Sequence, residues 1–154
     1  MNPITSAHLH LVLCHAPILT LLLGALWLLV GWWRGLREIQ QAALLMFVLT
    51  GILASPLYLT GKPTGGAVKA LPEFSDRYLE HHEAAAGVAL AGCAALSLAA
   101  LGGILYFRGR PFAPGFTLAM VIGALAVSGM LVWAGNAGGQ IRHSEIRPDP
   151  PPTE

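Results

Sequence analysis

Charge is what this sequence has least of. Only 11% of its 154 residues are Asp, Glu, Lys or Arg, and 55% are hydrophobic, whereas a soluble domain carries about 25% charged residues. Four long runs hold no charge at all: residues 9–33, 42–60, 84–107 and 116–135. Each is close to or above the roughly 20 apolar residues that cross the hydrocarbon core of a bilayer. The fold class this implies is all-α, an integral-membrane antiparallel four-helix bundle. One domain fills residues 1–143, with helices over about 9–33, 42–60, 76–107 and 116–135. Residues 144–154, which include four prolines, form a tail expected to be disordered.

Other absences remove whole classes of function. No basic stripe is present, so nucleic acid is not expected as a partner. There are two cysteines, Cys14 and Cys93, and no Cys-x-x-Cys-His motif, which excludes covalent c-type haem. The two cysteines fall at different depths and are not expected to pair. There is no His-Glu-x-x-His and no nucleophile elbow. The chain therefore reads as an electron carrier or accessory subunit rather than an enzyme by itself. The segment Gly61-Lys62-Pro63-Thr64-Gly65-Gly66 lacks the phosphate-loop pattern and follows no strand. No Lys or Arg precedes Arg34, so the basic start of a signal peptide is missing and the first run reads as a retained helix.

Threaded through a bilayer, the N-terminus lies on one side, called side A. Helix 1 reaches side B at Trp32-Trp33-Arg34, an interfacial anchor. Helix 2 returns to side A, with a kink expected at Ser55-Pro56, and ends near Thr60-Gly61. A linker to about Glu80 follows, in which Ala67 to Phe74 has the length of a short interfacial helix. Ser75 or Asp76 then caps helix 3. Helix 4 returns to side A, where Gly138-Gly139 is expected to force a turn. The short side B loops carry Arg34, Arg37, Arg108 and Arg110 against Glu38 alone, whereas side A is net acidic. Basic short loops mark the cytoplasmic side. The expected location is therefore a bacterial inner membrane, multi-pass, with both termini periplasmic.

Against this scarcity of polar groups stand six histidines, His8, His10, His15, His81, His82 and His143, all on side A. Imidazole is costly in lipid and is the commonest metal ligand. At about 1.5 Å per residue, His10 lies roughly 34 Å from side B and His82 roughly 37 Å, so the two are level; His15 is about 7 Å deeper than His10. The first candidate is haem b held by two histidines from different helices. His15, deepest in lipid, is the expected ligand, with His82 or His81 as its partner. His10 and His143 belong to the same cluster, and the count leaves room for a second haem. The porphyrin would lie among the small residues of helices 3 and 4 (Gly87, Gly92, Ala95, Ala100, Gly103, Gly123 and Gly129). Lys62, Lys69, Arg77 and Arg142 are placed to meet its propionates. A second candidate is a non-haem metal held by His10, His82, His143 and Glu83, with His15 also available. The alternative to both is a cofactor-free structural or assembly subunit.

The run His10-Leu-Val-Leu-Cys-His15-Ala-Pro17-Ile resembles the opening of a bacterial family of small four-helix membrane proteins without assigned function, which typically reads His-Pro-x-x-Val-His-Phe-Pro-Ile. Leu11, Cys14 and Ala16 replace the usual Pro, Val and Phe. His81 and His82 match a family histidine at the start of the third helix, and Gly138-Gly139 to His143 matches a segment after the fourth. The resemblance implies an association with haem or redox chemistry. More distantly, the plan is similar to four-helix membrane b-type cytochromes, although those carry histidines near both faces. The expected function is therefore a haem b electron carrier near the periplasmic face. It would be a subunit or partner of a larger redox complex, supplied by quinol or a periplasmic cytochrome.

Overall fold

The computed structural model describes residues 10, 12–69 and 74–148, with backbone alone over 62–68. Among the described residues, four helices make up the fold: α1 (Ala16–Arg34), α2 (Arg37–Val68), α3 (Asp76–Tyr106) and α4 (Pro114–Arg142). A 3₁₀ turn over Ser144–Ile146 follows. All four helices are long and apolar enough to cross a membrane. Each packs against the next, and α1 closes the ring against α4. The outward surface is apolar: Trp33 is 82% exposed, Tyr106 71% and Leu98 69%. So much exposed apolar area requires lipid around it.

Local chemistry sets the helix ends. Pro17 sits at the start of α1, where its missing N–H costs nothing. Gly35, at φ 64°, ends that helix with its N–H turned back to Gly31 and Trp32, and the Leu36 N–H reaches the Gly31 carbonyl at 2.8 Å. This left-handed cap is the place where glycine is required. It leaves two residues between α1 and α2, so the pair is an antiparallel hairpin. Pro114 opens α4 in the same manner as Pro17.

Two boundaries differ from the sequence expectation. α2 continues through Gly61 and Pro63 to Val68 and absorbs the start of the proposed linker helix; residues 70–73 lie outside the described residues. α4 runs through Gly138-Gly139 to Arg142 instead of turning. In both helices the glycines act as contact surfaces rather than breakers. Beyond α4, Arg147 folds back. It donates from Nε to the Gln140 carbonyl at 2.9 Å and from Nη2 to the Ile141 carbonyl at 3.2 Å, and lies 4.7 Å over the Tyr78 ring. The first residues of the expected tail are therefore tied to the bundle. Residues 149–154 lie outside the described residues.

Inside each hairpin the helices interlock at glycines. A Cβ on Gly24 would stand 2.7 Å from the Phe47 ring, and one on Gly31 would stand 2.9 Å from Gln40. In the second hairpin, a Cβ on Gly92 would meet Met130 and Val127, one on Gly123 would meet Leu96, and one on Gly103 would run into Phe116. Small residues thus bring backbones close, as packing in lipid favours. Along α3 and α4, Gly92, Gly103 and Gly123 face filled space, while Gly87 and Gly129 meet nothing within 4 Å and Ala95 is exposed.

The two hairpins share one plan. A shift of 72 residues carries the end of α1, Arg34, onto the end of α3, Tyr106. It also carries buried Pro17, Leu21, Gly24, Leu28 and Gly31 onto Ala89, Cys93, Leu96, Ala100 and Gly103, all buried in α3. A shift of 77 carries the start of α2, Arg37, onto Pro114 at the start of α4, and buried Gln40, Leu44 and Phe47 onto Thr117, Val121 and Ala124. The five-residue difference is the longer α3–α4 connection. Periodicity alone would align buried positions at several offsets; the helix ends select this one. Gln40 and Thr117 correspond, and each keeps a side-chain oxygen buried without a hydrogen-bond partner.

Candidate functional site

At the side A end the bundle holds a recess of about 60 Å³, lined by His10, Tyr58, Gly61, Leu79, His82, Glu83 and Ala86. His10 lies on the helical turn that leads into α1, and His82 lies on α3. The equal depths computed from the helix rise are realised: these two histidines meet in one recess.

Both rings are held in the same way. His10 donates from Nδ1 to the Leu57 carbonyl at 3.0 Å, and His82 donates from Nδ1 to the Ala134 carbonyl at 2.9 Å. A carbonyl oxygen can only accept, so Nδ1 carries the hydrogen in each ring, and a neutral ring then offers its lone pair at Nε2. Each ring also rests on a glycine one turn beyond its carbonyl. A Cβ on Gly61 would stand 3.1 Å from His10 Cε1, and one on Gly138 would stand 3.0 Å from His82 Cε1. The glycines read in the sequence as turn signals are the seats of the two imidazoles.

The other candidates fall elsewhere. His15, the expected ligand, is exposed where the chain turns into α1, with its Nδ1 3.1 Å from Cys14 Sγ. It does not line the recess with His82. The reason is angular: His10 and His15 are five residues apart and leave the helix in different directions. His81 is exposed and packs edge-on against Trp133 at 5.6 Å. His143 is exposed and paired with Glu145 at 2.8 Å. The backbone N–H of Glu145 and then His143 hold that carboxyl below its ordinary range. His8 lies outside the described residues.

Among the basic residues, Lys69 pairs with Asp76 at 3.1 Å, while Arg77 and Arg142 are exposed at the same end of the bundle. The side chain of Lys62 lies outside the described residues. Among the described residues, no three His, Cys, Asp or Glu side chains gather closely enough to hold a metal ion. The cage of His10, His15, His82 and His143, with or without Glu83, is therefore not formed.

Sequence reasoning missed Tyr58, the Leu57 and Ala134 carbonyls, and the roles of Gly61 and Gly138. The available signal was the spacing itself. Gly61 and Gly138 differ by the same 77 residues that relate α2 to α4. Compared with family models, with curated proteins and with solved structures, the chain matches none.

Proposed function

We propose that this multi-pass membrane protein is an electron carrier whose side A end would hold one haem b through Nε2 of His10 and Nε2 of His82. The observation that carries this reading is the matched pair of imidazoles. Each has its Nδ1–H fixed on a carbonyl, the outer-shell arrangement typical of metal-bound histidine, and both face one recess. Two imidazoles from different segments suit haem iron, since the porphyrin supplies the other four donors; Tyr58 and Glu83 also line the recess. Haem, when bound, supplies a one-electron couple. The protein orients the two imidazoles, surrounds them with apolar helix, and places Arg77 and Arg142 at the same end to meet propionates.

The donor chemistry fits; the space sets a condition. A recess of about 60 Å³ holds roughly two waters, and a flat ligand occupies several hundred Å³. Haem would therefore need more room than the recess provides. The small volume also favours a second reading, a single metal ion held by the same two nitrogens and water. The basic short loops of side B support a periplasmic side A in a bacterial inner membrane, where quinol or a periplasmic cytochrome of a larger redox complex would be the electron donor.

A reduced-minus-oxidised spectrum with a pyridine haemochrome assay tests this on protein expressed with ample haem. The expected result is a b-type α-band at one haem per chain. His10→Ala and His82→Ala should each abolish it, and His15→Ala should leave haem content unchanged. A featureless spectrum from folded protein removes the haem reading. Stoichiometric metal lost in His10→Ala would then support the single ion, and neither haem nor metal would leave a cofactor-free structural subunit.

A further inference from the structure

We propose that the recess is a pseudo-twofold site, to which each half of the chain delivers one equivalent imidazole locked in its Nδ1–H form. This rests on the two-histidine reading above and specifies its symmetry: the recess presents two like nitrogens, one from each half of the chain.

The shift of 72 residues that maps α1 onto α3 also maps His10 onto His82. The shift of 77 that maps α2 onto α4 maps Leu57, whose carbonyl accepts from His10, onto Ala134, whose carbonyl accepts from His82. The same shift maps Gly61 onto Gly138, the two ring seats. Five coincidences in buried apolar positions could follow from helical periodicity. A histidine, its acceptor and its glycine all matching at the offsets set by the helix ends do not follow from periodicity. Each module is self-contained: the histidine stands at the side A end of the first helix of its hairpin, and the acceptor and seat stand on the second.

Free imidazole in water favours the hydrogen on Nε2. Here the carbonyls impose the opposite tautomer on both rings and turn both Nε2 atoms free. His10 precedes α1 and His82 lies on α3, and these two helices are not neighbours in the ring. Both rings line the one recess. A lone histidine with such a bond would be ordinary in a core, but here two related by the internal repeat line one recess.

Nitrogen-15 NMR of histidine-labelled protein, free of haem and metal, tests the module directly: both His10 and His82 should show the Nδ1–H tautomer. Hemin titration then tests equivalence. Gly61→Ala and Gly138→Ala each push a methyl against a ring, and each should weaken hemin binding about tenfold or more, by factors within about threefold of each other. Either ring found with hydrogen on Nε2 overturns the proposal, as does a loss confined to one glycine variant, which leaves the haem assignment intact. Two Nδ1–H rings in a protein that binds no hemin keep the paired modules and overturn the haem assignment instead.

Discussion

At the residue scale, glycine decides more than any other type in this protein. Gly24 shows why. Its missing Cβ lets the fully buried Phe47 ring lie against the α1 backbone, and a methyl would stand 2.7 Å from that ring. In a packed interior neither partner can retreat far. Gly24→Ala should therefore cost about 1–3 kcal/mol, the range for overpacking a core. Gly87→Ala, which meets nothing within 4 Å, should be neutral or slightly stabilising because alanine is the better helix former. Unfolding of both variants by SDS titration in mixed micelles checks the contrast, and equal effects would mean that close packing at Gly24 is not limiting. Polar residues inside the bundle are few, and most are paired. Thr20 and Thr50 share a 2.7 Å hydrogen bond between α1 and α2, and Ser97 donates to the Val48 carbonyl at 3.3 Å. In lipid such bonds contribute on average about 0.6 kcal/mol.

At the scale of elements, two arginines tie ends together. On side B, Arg37 opens α2, donates to the Arg110 and Phe107 carbonyls at 3.0 and 3.1 Å, and covers the Phe112 ring. The longer α3–α4 connection is thereby fastened to the first hairpin. On side A, Arg147 satisfies carbonyls that the last turn of α4 leaves open. Arg147→Ala should fray that turn, at a cost of about 1–2 kcal/mol for bonds to a charged donor at a partly exposed site. Hydrogen exchange should rise at the amides of Gly139 to His143 and remain unchanged in α1. The same turn carries Gly138, the seat of His82, so exchange confined to residues beyond Arg142 would separate the clasp from the site. Reading glycine pairs as stops placed the ends of α2 and α4 too early. Hydropathy marks where a helix is apolar, whereas α4 continues past its apolar span into a polar final turn whose carbonyls Arg147 meets.

At the scale of the whole molecule, the repeat predicts that each hairpin is a folding unit. The α2–α3 and α1–α4 contacts then assemble the two without help from the connection between them. Two chains, 1–69 and 70–154, co-expressed in one membrane, should copurify through a tag on either. Recovery of the tagged hairpin alone would show that the covalent link is needed. The expectation follows from lipid physics: helices inserted as stable units associate by close packing, with no hydrophobic force to overcome.

The sequence by itself determined the number of spans, their apolar character and the common depth of His10 and His82. Hydropathy and the rise per residue are properties of the chain taken along one axis, and no packing is needed to read them. The tertiary structure decided which histidines face one another. That depends on direction around each helix and on which neighbour offers a carbonyl and a glycine at the right height. His15, although the more deeply placed, points away from the shared recess. His10 points into it because Leu57 and Gly61, forty-seven and fifty-one residues further along the chain, hold its ring there.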